Sequence, residues 1–276
     1  MKTLREQFIQ QMELRGYSNA TVRSYTETLI LISKHYKQSP DLLSTQQIRD
    51  YLSLLVEKNR SQSYVNQFIS ALKILNEQVL RKEWDAIAVP RMKRPLKLPV
   101  VLSQQEVIAI FDATRNIRHK TILMITYSAG LRMSETINLR VEDIDSGRMQ
   151  LRIRQAKGAK DRYGILSQVV LEQLRFYFKT YKPKDWLFAS QQSEKISDKM
   201  VQHIFKAAIK KAGIIKKVSL HSLRHSFATH MMEKGVSLPI IQQLLGHKSL
   251  KTTSIYLHVQ QYTLDKIKSP LDSLSR

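Results

Sequence analysis

The segment VPRMKRPLKLP, residues 89–99, does most to limit how this chain can fold. It holds three prolines, four bases and no acid. Each proline fixes its own φ, lacks an amide donor and steers its predecessor away from the helix, so no regular element runs through the segment. A chain of 276 residues interrupted in this way reads as two bodies, 1–88 and 103–276, joined by an extended basic linker at 89–102. The length suits about two domains.

The first body reads as helices with caps. Leu4, Phe8, Ile9 and Met12 share one helical face, and Gly16 follows as a stop. Ser18 or Asn19 opens a second helix carrying Val22, Tyr25, Leu29 and Ile32. Ser44 opens a third, with Ile48, Leu52 and Leu55, and a fourth spans 62–81 with Val65, Phe68, Ile69, Leu72 and Leu75. Four amphipathic helices in succession predict a bundle. In the second body Ser103 and Glu106 form a capping-box pattern. Met149, Leu151 and Ile153 alternate with Gln150, Arg152 and Arg154, the period of a half-buried strand. AKGAKD is turn chemistry, and 163–166 returns as a second strand. Helices follow near 167–181, 198–212, 221–234 and 237–245. The predicted fold is mainly α: an N-terminal four-helix bundle and a mostly helical C-terminal domain with a small antiparallel β-hairpin or sheet.

Charge names a class of partner. The net charge is +22, and residues 103–276 carry 29 Lys/Arg against 14 Asp/Glu. Like charge on this scale strains a compact state, and a polyanion relieves it. Nucleic acid fits better than a membrane surface, because no basic amphipathic anchor stands out. The chain has no cysteine, which excludes disulfides, cysteine-ligated zinc and thiol catalysis. The opening MKTLREQFIQ has no apolar signal-peptide core, and no P-loop pattern points to ATP.

Four short stretches carry candidate chemistry. In YSAGLRMSETINL, Gly130 breaks one helix and Ser134 is the expected cap of the next, with Glu135 in its first turn; Arg132 stands where an anion binds at a helix start. In HSLRHSFATH, His221 and Arg224 share a face and can grip one phosphate. His221 and His225 also have the spacing of a zinc site, but the acid of that motif is missing. In LLGHKSLKTTSIY, His247 follows the helix stop Gly246, Thr252 or Thr253 begins the last stretch, and Tyr256 lies within it. Lys157 sits at the hairpin turn. Viewed singly, each is a surface or core residue. Together they supply what phosphoryl transfer requires: cations for the non-bridging oxygens, a nucleophile and an acid for the leaving oxygen.

The segments AGLRMSE, KGAKDR, HSLRHSFATH and LLGHKSLKTTSIY, in this order and at these separations, resemble the tyrosine recombinases or phage-type integrases, and the two-domain layout is most similar to the Xer-type members. GYSNATVRSYTETL resembles the family's SAM-like core-binding domain. The resemblance implies a catalytic set of Arg132, Lys157, His221, Arg224, His247 and the nucleophile Tyr256, supported by Glu135. Lys160 is a rival to Lys157. Lys93, Arg94, Lys160 and Arg162 are candidate DNA contacts. It implies strand exchange through a 3′-phosphotyrosine with no metal, cofactor or ATP, on double-stranded core sites. It also implies a homotetramer on two sites, alone or with a related recombinase, in the cytoplasm. Residues 260–276 would dock on a neighbouring subunit. Lys248 and Lys251 depart from the small or acidic residues of many relatives. The alternatives are a type IB topoisomerase-like enzyme, a non-catalytic DNA-binding factor and a zinc hydrolase on His221 and His225.

Overall fold

A computed structural model of the chain describes residues 3–85, 88–93, 98–156, 160–190, 194–247 and 253–254. The chain divides into two compact units, Met1–Leu96 and Lys97–Arg276.

In the first unit each helix opens on a side chain that accepts a free amide. Thr3 and Glu6 box the start of α1 (Leu4–Leu14), and Ser18 caps α2 (Asn19–Tyr36). Ser44 and Gln47 box α3 (Thr45–Glu57), and Ser61 caps α4 (Gln62–Ile74). These bonds satisfy donors that a helix start leaves free. Phe8, Met12, Ile32, Phe68, Leu72 and Leu75 close the core. The fourth helix departs from the expectation of one α-helix to Arg81: beyond Ile74 the backbone is π-helical over Leu75–Leu80 and ends at Arg81 with φ 55°. The Asn76 side chain donates to the Leu72 carbonyl at 3.0 Å and competes with the α-helical ladder there. The first residues of the proline-rich segment pack on this bundle. Val89 belongs to its core, and Asn66 exchanges two hydrogen bonds of 2.9 Å with the Met92 backbone.

The second unit starts with α5 (Gln104–Ala113), boxed by Ser103 and Glu106. Next comes α6 (Ile117–Ser128), whose Thr121, Ile122, Leu123, Ile125 and Thr126 are buried. After the short α7 (Met133–Ile137), strands β1 (Ile144–Asp145), β2 (Gln150–Ala156) and β3 (Lys160–Ile165) form an antiparallel sheet in that order. Leu151 pairs with Gly164 and Ile153 with Arg162, with an irregularity between Ile153 and Ala156. The alternation is as expected, with Leu151 and Ile153 buried. The two-residue β1 is too short to leave a periodic signal. Then follow α8 (Gln168–Tyr181), α9 (Asp198–Lys211), α10 (Leu220–Glu233) and α11 (Leu238–Leu245). Among the described residues no helix is long and apolar enough to cross a membrane.

Gly130 joins α6 to α7 against α10. Its φ is +58°, and a Cβ there would stand 2.5 Å from the Phe227 ring. A side chain at 130 would strain the backbone and push α10, which carries Arg224, away from the turn that carries Arg132.

Candidate active site

One carboxylate and one helix end organise the site. Glu135, in α7, is buried. Its Oε1 accepts the Arg132 guanidinium at 2.6 Å, and its Oε2 accepts the Arg132 backbone amide at 2.8 Å. Oε2 also meets Arg162 from β3 at 2.7 Å and Arg224 from α10 at 3.5 Å. Burial pushes the Glu135 carboxyl up, but Arg162, the Arg132 amide, Arg224 and the Arg132 guanidinium outweigh it, and the group is held below its ordinary range.

The same three arginines converge on the C-terminal end of α11. Arg162 Nη1 donates to the Leu244 carbonyl. Arg224 Nη2 donates to the Leu245 carbonyl at 2.6 Å, and Arg132 Nη2 to the Gly246 carbonyl at 3.3 Å. Arg224 Nη1 also donates to the Gly130 carbonyl at 2.6 Å. The last carbonyls of a helix lack intrahelical donors and carry partial negative charge, so cations belong there. Three successive carbonyls, immediately before His247, are thus each held by an arginine. Gly246 caps α11 with φ 63°, and a Cβ on it would lie 2.7 Å from Arg162 Cδ. The glycine serves both the left-handed cap and the arginine laid across it.

Ser134 is not the cap expected of it. The helix begins one residue earlier, at Met133, with Arg132 as the capping residue, and Ser134 is exposed. Glu135 does the capping by accepting the Arg132 amide. Arg162, expected as a DNA contact, lies beneath the cluster with its side chain 9% exposed and both terminal nitrogens engaged. These bonds to Glu135 and the Leu244 carbonyl were not foreseen from the sequence. The sign of them was the arginine closing KGAKDR on the inward-pairing side of a strand.

His221 opens α10 on the same face as Arg224 and is exposed. Desolvation and then the charges of Arg224 and Arg132 hold its imidazole below the usual range, against the opposing pull of Glu135. The His225 ring meets the His221 ring edge to face at 4.6 Å. Among the described residues no group of three His, Asp or Glu side chains gathers around a common point.

His247 is half-buried. Its Nδ1 lies 2.9 Å from the hydroxyl of the buried Thr253, and its carbonyl accepts from Gln242 at 2.9 Å. Desolvation, then Arg224, Arg132, His221 and Arg162, push its pKa down to about 3. The folded value lies below the unfolded one, so the neutral ring contributes stability above the ordinary histidine range, and that contribution is lost as pH falls from about 6.5 toward 3. His247 should therefore remain neutral at pH 5 in ¹⁵N-detected imidazole spectra. A midpoint near 6.5 would contradict the electrostatics of the site.

Lys93, within the first unit, is exposed. Arg94, Lys157, Tyr256 and the tail 260–276 lie outside the described residues, as does the Lys160 side chain. The described strands β2, ending at Ala156, and β3, beginning at Lys160, form the hairpin that contains Arg162.

Comparison with known proteins agrees along the whole chain. Residues 100–262 match the phage integrase family, and residues 4–86 match the phage integrase N-terminal SAM-like domain. A putative integrase/recombinase of Sinorhizobium fredii is 38% identical over 279 residues, covering 100% of this chain and 91% of that one. The tyrosine recombinase XerA of Pyrococcus horikoshii is 38% identical over 259 residues, covering 92% and 88%. Among solved structures, a XerA recombinase superposes with a TM-score of 0.58 at 28% identity, covering 96% and 99%. A lambda integrase dimer bound to a core site shares the fold at a TM-score of 0.77 and 20% identity, covering 96% and 98%.

Proposed function

We infer the chemistry from one premise: the chain belongs to the phage integrase family, as a Xer-like tyrosine recombinase. It is a site-specific recombinase that cuts and rejoins DNA. The observation that carries the residue assignment is the gathering of Arg132, Arg224, His221 and His247 around Glu135 and the end of α11.

In this reading the scissile phosphate sits against Arg132, Arg224 and His221. The two guanidinium groups neutralise the non-bridging oxygens, and Glu135 and the α11 carbonyls hold those groups in place before DNA arrives. With its Nδ1 on Thr253, a neutral His247 offers Nε2–H to the same oxygens. The Tyr256 hydroxyl attacks phosphorus. The neutral His221 ring takes the phenol proton, Lys157 protonates the departing 5′ oxygen, and a 3′-phosphotyrosine remains. A free 5′ hydroxyl from another strand reverses the step. The phosphodiester energy is conserved, so religation draws on no nucleotide.

The partner is double-stranded DNA carrying core sites, approached by a chain of net charge +22. In this reading residues 1–88 are the core-binding bundle, 89–102 with Lys93 and Arg94 a basic linker, and 103–276 the catalytic domain. A homotetramer on two sites, alone or with a related recombinase, performs the exchange in the cytoplasm, with 260–276 docking between subunits.

The test is a plasmid holding two direct repeats of the DNA that flanks the gene. Two circles should form with purified protein in EDTA and without ATP. Relaxed topoisomers that never yield two circles would replace this reading with a type IB topoisomerase-like activity.

A further inference from the structure

We propose that Arg162 is a positioning residue for the cleavage step, coupling the hairpin to both the Arg132 guanidinium and the His247 backbone. The proposal rests on the assignment of Arg132, Arg224 and Tyr256 given above.

Three contacts carry it. Arg162 Nη2 meets Glu135 Oε2 at 2.7 Å, and the other oxygen of that carboxylate holds Arg132. Its Nη1 donates to the Leu244 carbonyl, three residues before His247. Its Cδ and Nε lie over Gly246, where a Cβ would stand 2.7 and 2.8 Å from them. Its own strand leads directly back into the 157–159 connection. One side chain therefore bridges β3, α7 and the end of α11.

Its side chain is 9% exposed and bonded to Glu135 and the Leu244 carbonyl, so a DNA contact alone does not explain its placement. Pure core filling does not explain it either. A buried guanidinium costs desolvation that an apolar side chain avoids, and here both of its terminal nitrogens are spent on groups adjoining proposed phosphate ligands. A fork donor is required. Arginine reaches a carboxylate and a carbonyl at once in fixed geometry, whereas lysine presents one point charge. Without Arg162, Glu135 keeps Arg132 and Arg224 as its ion-pair partners among the described residues, and its carboxylate draws Arg132 back from the phosphate.

The test is single-turnover cleavage of a nicked suicide DNA substrate by wild type, Arg162→Lys, Arg162→Met, Glu135→Gln and the double variant Glu135→Gln/Arg162→Met. DNA affinity is read by fluorescence anisotropy. Displacing a reacting group by about 1 Å costs on the order of 10²-fold in rate, so cleavage by Arg162→Met at saturating protein should fall roughly 10- to 100-fold. The Kd should change less than about 3-fold, and Arg162→Lys should recover part of the rate. Once Glu135 is neutral, the added loss from Arg162→Met should shrink, because contacting residues couple. Multiplicative losses would overturn the coupling. A tenfold loss of affinity with normal cleavage of bound DNA would make Arg162 a DNA contact instead. If Arg162→Met does not fold, the lysine variant decides: it retains charge and bulk, and a wild-type rate from it refutes the need for a fork. Tyr256→Phe run alongside keeps the two readings apart. An adduct formed by Tyr256→Phe defeats the nucleophile assignment, whereas full-rate cleavage by Arg162→Met with an inert Tyr256→Phe defeats only this inference.

Discussion

Replacing Arg224 with lysine is expected to reduce single-turnover cleavage by about 10³-fold, the scale on which an arginine that neutralises a transferring phosphoryl group acts. The substitution retains the charge and removes the geometry. Arg224 gives Nη1 to the Gly130 carbonyl and Nη2 to the Leu245 carbonyl, both at 2.6 Å, with its side chain 1% exposed. One ammonium cannot span two carbonyls that lie on different elements and still face a phosphate. Arg224→Ala goes further and leaves two buried acceptors without their donor, at roughly 1–3 kcal/mol each. The alanine variant should therefore melt well below wild type, and the lysine variant much closer to it. A lysine variant that cleaves at the wild-type rate would remove Arg224 from the phosphate site.

Glu135→Gln should be the most destabilising conservative change in the second unit. Three arginines point at this one carboxylate, and breaking a buried charge constellation costs about 3–5 kcal/mol. For a unit of this size that is roughly 6–20 °C in melting temperature. The pH dependence follows from the direction of the shift. The folded Glu135 pKa lies below its ordinary value of 4.5, so its contribution is complete above that value and is lost as pH falls through the lower, folded one. The melting curves of wild type and Glu135→Gln should differ most near neutral pH and approach each other as pH falls below 4.5. A gap that is constant from pH 3 to 7 would mean that the Glu135 charge does not hold the arginines.

Much of the local architecture could be read from residues one turn apart. Thr3, Ser18, Ser44, Ser61 and Ser103 cap helices because the bond they make is to an amide two or three residues on. The hairpin was visible because its burial alternates, and Gly246 because a left-handed cap prefers glycine. The convergence on Glu135 was not visible in this way. Its partners come from a helix start, a strand and a second helix, and no periodicity links 132, 162 and 224. The resemblance to tyrosine recombinases named Arg132 and Arg224 and placed Arg162 among the DNA contacts, but the bonds of Arg162 to Glu135 and the Leu244 carbonyl emerge only once the strand register is known. Ser134 was misjudged for a related reason: a serine before an acid resembles a cap, yet Glu135 reaches back to the Arg132 amide and starts the helix one residue earlier. The π-helical end of the fourth helix, where the Asn76 side chain donates to the Leu72 carbonyl, leaves no trace in composition.

Tyr256 is the nucleophile in the proposed reaction. Labelled fragments of the DNA flanking the gene, incubated with wild type or Tyr256→Phe in EDTA and resolved on a denaturing gel, address it directly. The predicted result is a protein-linked, protease-sensitive DNA band with wild type and none with Tyr256→Phe at equal DNA binding. The same band from Tyr256→Phe would contradict the assignment and place the covalent bond on another residue.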